Sequence, residues 1–178
     1  MNRFKPVELG DAPALQRLME TNAGYTFRIS GSEVEPRAAQ DALTALPPSV
    51  SAEQKRGLGL WDGGLLVAFC DVIIGWPEPC TAHIGLLMTD SLRARQGLGH
   101  ELHEAMVSEL LKIDVLQDLR LAIVDSNAGA AEPFWKSLGY KPTGEVAAYR
   151  RGTVESRSRI WRRTLRGKAG TKRYPCSE

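Results

Sequence analysis

The sequence has few cysteines and no long hydrophobic run. Its 178 residues include three cysteines, and no two of them are spaced as CxxC. An odd number of cysteines without paired spacing argues against a disulfide scaffold and predicts a protein of the reducing cytoplasm. The longest apolar run, residues 65–76, is interrupted by Asp71, so we expect no membrane-spanning segment and no membrane partner. The N-terminus, MNRFKPVELG, lacks the apolar stretch of a secretion signal.

The composition is that of an ordinary soluble domain. Apolar residues make up 43% of the chain and charged residues 25%, which excludes disordered and fibrous classes. The length predicts a single domain over residues 1–166, followed by a basic C-terminal tail over residues 167–178. The net charge is +2, but residues 150–178 hold ten Lys or Arg against two Asp or Glu. This basic end is compatible with nucleic-acid binding, although we favour a solvated final strand and tail.

Hydrophobic periodicity predicts strands and helices in the order β-α-α-β-β-β-α-β-α-β-β. Strands are predicted over residues 4–9, in a hairpin over 58–77 with its turn at Asp62-Gly63, over 83–88 and 119–124, and as a pair within 149–165. Helices are predicted after the N-cap Asp11, over 36–46, from Leu98 to Ile113, and over 130–138. Residues 21–36 are predicted to form a loop, because glycines recur in them.

The segment RARQGLG, residues 93–99, places two glycines at the start of a predicted helix. The free N–H groups of a first helical turn carry partial positive charge, and glycine lets a phosphate approach them closely. The segment therefore either holds a diphosphate, helped by Arg93 or Arg95, or forms only a strand-to-helix turn. It is not a Walker loop, because GxxxxGK[ST] is absent. It is not a dinucleotide fingerprint either, because Leu102 stands where a third glycine is required.

A second segment, NAGAAEPFWKSLGY, follows the next predicted strand at residues 127–140. Together with the glycine loop it resembles the GNAT acetyltransferase superfamily, whose members share a Q/R-x-x-G-x-G/A loop and a later asparagine, aromatic residue and Gly-aromatic pair. The resemblance extends over about residues 3–165, and the matching residues are Gly97, Gly99, Asn127, Trp135, Gly139 and Tyr140. It implies an α/β fold of mixed α+β type: a central, mostly antiparallel twisted sheet flanked by helices, with a splayed pair of parallel strands.

The resemblance also implies acetyl-CoA as a co-substrate. In the family, the diphosphate lies on the amides of the glycine loop, and the pantetheine arm enters between the splayed strands. The residues that this arrangement places beside the cofactor are Leu87, Met88, Thr89, Arg95, Gln96, Gly97, Leu98, Gly99, His100, Asn127, Phe134 and Trp135. Lys136 is added from its charge alone, as a candidate to meet the 3′-phosphate.

Two positions depart from the family pattern. Ala94 stands where the loop pattern has Gln or Arg, so the backbone amides must carry the diphosphate. Trp135 stands where the family often has a tyrosine that protonates the leaving thiolate, and an indole N–H does not titrate near neutral pH. Water, Tyr149 or Tyr140 are the remaining candidates for the acid, and the sequence does not choose between them.

The acceptor side is predicted from fewer residues. His83 lies on the strand that often carries the family's base, and an imidazole is suited to accept a proton, although a strand histidine at the sheet surface is the alternative. Asp71, within an apolar strand, either anchors a cationic substrate or points to solvent. Tyr25 and Phe27 belong to the predicted loop where the family often builds its acceptor pocket. In HELHE, residues 100–104, the histidines are three apart, so no HExxH metal site is predicted.

The function implied by the resemblance is N-acetylation. The acetyl group of acetyl-CoA would pass to a primary amine of a small molecule, by direct attack in a ternary complex. A catalytically silent acyl-CoA-binding module is the alternative, suggested by the missing tyrosine. The sequence leaves the acceptor, the general acid and the formation of a homodimer open.

Overall fold

The computed structural model describes residues 1–166, and the predicted basic tail, residues 167–178, lies outside them. Seven strands are present: β1 Arg3–Pro6, β2 Lys55–Asp62, β3 Leu65–Ile74, β4 Thr81–Thr89, β5 Asp118–Val124, β6 Lys141–Arg151 and β7 Val154–Thr164. Five α-helices accompany them: α1 Ala12–Thr21, α2 Ala23–Ser30, α3 Ala38–Thr44, α4 Leu98–Leu110 and α5 Ala128–Ser137. No helix in this described part of the chain has the length and apolarity needed to cross a bilayer.

The strands form one sheet in the order β1-β2-β3-β4-β5-β7-β6. All neighbouring pairs are antiparallel except β4 and β5, which are parallel. That pairing covers only Thr81–Ile84 of β4, and the remaining five residues of the strand diverge from β5. The predicted fold class is therefore confirmed, including the splayed parallel pair.

The sheet separates two hydrophobic clusters. On one face, α4 buries Leu98, Leu102, Met106 and Leu110 against the strands, because these residues recur at helical spacing. On the other face, α1 and α3 cover a smaller cluster that includes Phe69 of β3. Strand β3 is consequently buried on both faces, which explains its nearly continuous apolar sequence.

The predicted loop at residues 21–36 is wrong, because α2 occupies its centre. The segment has little intrinsic helix preference, so its helical state depends on tertiary packing. Ile29, a residue of α2, is buried, and Gly31 ends the helix in the left-handed conformation, with φ of 71°.

The remaining elements follow the predicted order, with differences at their ends. Strand β6 begins at Lys141, ahead of the pair predicted within 149–165. The hairpin turn is shifted by one residue, since Gly63 and Gly64 supply the positive φ angles. The number of strands and their sequence along the chain are as predicted.

A histidine and a tyrosine form a polar contact inside the larger cluster. His103, on the buried face of α4, is 1% exposed, and its Nε2 lies 3.0 Å from the hydroxyl of Tyr140. Burial lowers the pKa of His103 to about 4, and Arg163 adds to the shift. The imidazole is therefore neutral in the folded protein at neutral pH.

Because this imidazole is buried and neutral, we expect the free energy of unfolding to decrease in acid. The unfolded chain, with a histidine pKa of about 6.5, binds the proton first as the pH falls. The contribution of His103 to stability is therefore complete above about pH 6.5 and declines toward about pH 4. We expect His103→Gln to remove roughly 2 kcal/mol of this acid-dependent loss, measured by urea unfolding across that range. His100→Gln, at an exposed position of the same helix, is the control. An unchanged pH slope in His103→Gln would contradict the prediction.

Candidate active site

The glycine loop ends in an uncapped helix N-terminus. Gly97 is the N-cap of α4 with φ of 80°, and no side chain caps the helix there. The first intrahelical bond runs from the amide of Glu101 to the carbonyl of Gly97 at 3.0 Å. The amides of the preceding turn, those of Leu98, Gly99 and His100, consequently have no partner within the helix. They form a partially positive surface suited to an anion.

The two glycines of the loop differ in their surroundings. A Cβ added at Gly97 would meet no atom within 4 Å, so its positive φ is what requires glycine there. A Cβ at Gly99 would lie 2.9 Å from the ring of Phe134, on α5. Gly99 therefore admits an aromatic ring over the start of α4. The Phe134 ring also meets His100 edge to face, with centroids 5.4 Å apart.

The other predicted cofactor residues of the second segment lie at different depths. Trp135 is buried in the larger cluster, with its ring 5.0 Å from that of Tyr140. Lys136 forms an ion pair with Glu132 at 3.0 Å. Asn127, in the turn after β5, accepts a hydrogen bond from Nε of Arg28 at 2.8 Å. Arg28 thus ties α2 to the end of β5, a contact that no sequence pattern indicated.

The C-terminal half of β4 borders the gap between the splayed strands. Leu87, Met88 and Thr89 all follow the last residue of β4 that pairs with β5. The carbonyl of Thr89 accepts a hydrogen bond from the side chain of Asn22 at 2.8 Å. This contact holds the end of α1 beside the end of β4, at the opening of the gap.

A cavity of about 590 Å³ lies on the face of the sheet covered by α1, α2 and α3. Its walls come from these helices, from β2, β3 and β4, and from the turn between β6 and β7. Of the predicted site residues, the cavity brings together Tyr25, Asp71, His83 and Met88. It does not include Phe27, which is 65% exposed on α2.

Asp71 is a buried carboxylate in the wall of this cavity. Its Oδ2 lies 2.6 Å from Nζ of Lys55. Oδ1 is fully buried and accepts no hydrogen bond of good geometry among residues 1–166, although the amides of Gly85 and Leu86 lie close to the carboxylate. The side chain occupies the space above Gly85, where a β-bulge interrupts the pairing of β3 with β4 and an added Cβ would lie 2.5 Å from Oδ1. Burial raises the pKa of the Asp71 carboxyl, opposed by the Lys55 ammonium and by the amides of Leu86 and Gly85. The sequence left Asp71 between cavity and solvent, and the structure places it at the cavity.

His83 has an environment that weakens it as a base. Its Nδ1 lies 3.0 Å from the Arg120 guanidinium, which has only donors, so Nδ1 is the acceptor and the proton resides on Nε2. Burial lowers the pKa of His83 to about 3, and the charges of Arg120 and Lys55 act in the same direction. The ring of Trp76 packs edge to face against it at 4.8 Å. The imidazole is neutral and has a weak affinity for a further proton.

Two tyrosines lie at or near the cavity, one on α2 and one on β6. Tyr25 lines the cavity, and burial raises the pKa of its hydroxyl to about 12. Tyr149, on β6, donates a hydrogen bond from its hydroxyl to the carbonyl of Ile29 at 2.9 Å. Burial also raises the pKa of Tyr149. The hydroxyl proposed as an acid is therefore engaged with the backbone of α2.

The turn between β6 and β7 forms one edge of the cavity. The amide of Thr153 donates to the carbonyl of Ser30 at 3.0 Å, so the turn is attached to the C-terminal end of α2. Gly152, with φ of 55°, approaches Ser30 so closely that an added Cβ would overlap its carbonyl oxygen. Arg151 and Gly152 both line the cavity.

Comparison with known proteins gives the same family that the glycine loop and residues 127–140 resemble. The sequence model of the acetyltransferase (GNAT) domain matches residues 44–154. A search of curated protein sequences found no match. The chain belongs to the GNAT acetyltransferase family.

Solved structures of this family share the fold. The ribosomal-protein-S18-alanine N-acetyltransferase of Escherichia coli is 22% identical, with a TM-score of 0.68 over 97% of this chain and 100% of that one. An acetyltransferase of Thermus thermophilus is 22% identical, with a TM-score of 0.67 over 92% and 97% of the two chains. The ribosomal-protein-alanine N-acetyltransferase of Brucella melitensis is 14% identical, with a TM-score of 0.68 over 91% and 99%.

Proposed function

We propose that this protein transfers the acetyl group of acetyl-CoA to a primary amine of a small molecule, by direct attack in a ternary complex. One observation carries the proposal. The C-terminal half of β4 borders the gap beside β5 on one side, and its residues Gly85, Leu86 and Met88 line the acceptor cavity. A donor in the gap and an amine in the cavity would meet along this strand, as proximity catalysis requires.

The residues present fit the proposed donor. The free amides of Leu98, Gly99 and His100 offer hydrogen bonds to a diphosphate, and the open space at Gly97 allows its approach. Phe134 lies beside the start of α4, and Asn127 lies after the end of β5. The pantetheine arm is proposed to lie between these two residues. Acetyl-CoA, when bound, supplies the acetyl thioester. The backbone of Leu87, Met88 and Thr89 would orient that group.

Gly99→Ala tests the proposed donor site. The new Cβ would lie 2.9 Å from the Phe134 ring, which must shift across the first turn of α4. We expect the Kd for acetyl-CoA to rise about fivefold, because the displaced ring would take up space over the free amides and a loss of about 1 kcal/mol in binding corresponds to that ratio. Isothermal titration measures the change. Gly129→Ala, where an added Cβ meets nothing within 4 Å, is the matched control. Wild-type affinity in Gly99→Ala would remove Phe134 from the site.

On the acceptor side, we propose Asp71 as the group that receives the substrate ammonium and takes its proton. Asp71 lines the cavity with its Oδ2 held by Lys55, and its buried Oδ1 accepts no hydrogen bond within the described residues. A carboxyl pKa raised by burial brings its proton affinity closer to that needed near neutral pH. The hypothesis that His83 is the base is revised, because Arg120 engages its Nδ1 and burial depresses its pKa. We assign His83 to the cavity wall, where it contacts Arg120.

The function is tested by incubating the protein with acetyl-CoA and a panel of primary amines and following the release of free thiol. Thiol release that depends on an amine supports the proposal. A shift of the unfolding temperature by acetyl-CoA, with no thiol release from any amine, would favour a silent acyl-CoA-binding module instead. That second candidate is favoured by one observation: Trp135, an indole buried in the core, stands where the family often has a tyrosine, so it supplies no titrating proton for the leaving thiolate. A reducing cytoplasmic location stays a prediction.

A further inference from the structure

The proposed acceptor cavity has carboxylates both in its interior and at its opening. Asp71 lies in its interior, 7% exposed, with Oδ1 unpartnered among the described residues. Glu33, Glu35 and Asp41 also line the cavity, and all three are exposed, so they stand at its rim. None of these three carboxylates forms an ion pair within residues 1–166. We refer to Glu33, Glu35 and Asp41 as the rim carboxylates.

The cations of the cavity do not cancel this charge. Lys55 and Arg151 are the lysine and arginine among its lining residues. Lys55 is already engaged, since its Nζ donates to Oδ2 of Asp71 and to the carbonyl of Ala45. Arg151 forms no ion pair with a carboxylate within residues 1–166, and its charge opposes the burial that raises the pKa of the Tyr25 and Tyr149 hydroxyls. Four carboxylates thus face two cations.

Apolar side chains connect the interior to the rim. Met19 of α1, Ile29 of α2 and Ala42 of α3 line the cavity on the helical side. Leu86 and Met88 line it from β4. Such a wall gains free energy by covering methylene groups and loses it by covering charge. A ligand that complements the cavity therefore carries a cation at each end and hydrocarbon between them.

We propose that the amine acceptor is an unbranched aliphatic diamine, which rests on the proposed N-acetyltransferase function. One ammonium binds the Asp71 carboxylate and gives up a proton to it. The neutral amine then forms the amide C–N bond as the thioester C–S bond breaks, and coenzyme A leaves as the thiol, taking the second proton of the amine. The other ammonium stays protonated near the rim carboxylates, and its methylene chain lies along the apolar wall. The rim carboxylates are positioning residues, because they contact the end of the substrate that does not react.

A matched set of five-carbon amines tests the distal charge. The probes are 1,5-diaminopentane, pentylamine and 5-aminopentanoate, which differ only at the end that does not react. We expect kcat/KM to be at least about tenfold higher for the diamine than for pentylamine, and lowest for the aminopentanoate. The advantage should reside mostly in KM and decline with added salt, since the rim carboxylates are exposed. Equal values for diamine and pentylamine, or a preference for the aminopentanoate through Arg151, would overturn the proposal.

Charge removal at the rim identifies the residues responsible. In Glu33→Gln/Glu35→Gln/Asp41→Asn, the ratio of kcat/KM for diamine over pentylamine should fall to within about twofold of unity. The control removes three carboxylates outside the cavity, the half-buried Glu109 and the exposed Asp114 and Glu155, as Glu109→Gln/Asp114→Asn/Glu155→Gln, and should keep the wild-type ratio. An unchanged ratio in the rim variant contradicts the proposal. If no amine, including the three probes, causes thiol release, the proposed function itself is refuted. The failure of the diamine proposal and the failure of the proposed function are therefore distinguishable.

Discussion

Asp71→Asn is expected to lower kcat for amine acetylation by about 100-fold or more, the usual effect of removing a general base. The amide fills the same space above Gly85 but cannot take a proton from the substrate. Acetyl-CoA binding should survive, because the proposed donor residues lie on β4, at the start of α4, at the end of β5 and on α5, and not on β3. Thiol-release kinetics and isothermal titration with acetyl-CoA measure the two effects. Because burial raises the pKa of Asp71, wild-type kcat should fall as the pH drops through that pKa, and Asp71→Asn should lose this dependence.

The stability of this variant must be separated from its catalysis. Asp71→Asn leaves the Lys55 ammonium buried without its carboxylate, and breaking a buried pair costs about 3–5 kcal/mol. Lys55→Met/Asp71→Asn removes the stranded charge, so it should recover stability without recovering kcat. Glu78→Gln, which breaks an ion pair with Arg162 at 3.0 Å outside the cavity, is the control for the loss of a carboxylate. A kcat in either Asp71 variant within about threefold of wild type would refute the assignment.

Gly152→Ala is expected to be the most destabilising small substitution at the edge of the cavity. The backbone at φ of 55° is strained for alanine by about 1 kcal/mol, and the methyl group would overlap the carbonyl oxygen of Ser30. Displacing the turn would also break the 3.0 Å bond from Thr153 to Ser30. We expect a total loss of about 3–4 kcal/mol, and a fall of about 10 °C in the unfolding temperature. Urea unfolding and calorimetry measure it.

Gly63→Ala separates backbone strain from overlap. Gly63 has φ of 62°, close to that of Gly152, but an added Cβ there meets nothing within 4 Å. Its substitution should cost about 1 kcal/mol, the strain alone. If Gly152→Ala were no more destabilising than Gly63→Ala, the contact between the β6–β7 turn and α2 would contribute nothing to stability. Because Arg151 and Gly152 line the cavity, Gly152→Ala should also raise KM for the amine.

The predictable parts of the fold are those where local pattern and tertiary packing agree. Helix α4 repeats leucine and methionine at helical spacing, and β3 is a continuous apolar run, so both were evident in the sequence. Helix α2 was not, because its sequence contains a glycine, threonine, tyrosine and phenylalanine and is held by distant contacts. Those contacts join Arg28 to Asn127 and Ser30 to Thr153, pairs far apart in the chain. No local rule contains such information.

The candidate site divides in the same way. The glycine loop and Asn127 belong to a spaced motif, so the sequence indicated them. The roles of Asp71 and His83 depend on strand register instead. A β-bulge at Gly85 makes room for the carboxylate of Asp71, and the parallel pairing of β4 with β5 sets His83 opposite Arg120. The two candidates for contact with the amine were therefore visible as residue types, while their proton affinities were not.

The insertion of β7 between β5 and β6 has a consequence for the order of events on the ribosome. Strand β7 comes last in the described chain, yet it occupies the place next to β5. Until residues 154–164 have emerged from the ribosome, the edge of β5 opposite β4 has no partner strand. Strand β6 cannot join the sheet before then, because among residues 1–166 it pairs only with β7. The contact between the carbonyl of Ser30 and Thr153 likewise forms only after a residue 123 positions downstream has been synthesised. A nascent chain thus completes the cavity only after residues 154–164 have been synthesised, and a chain cut short before β7 would present an open strand edge to other chains.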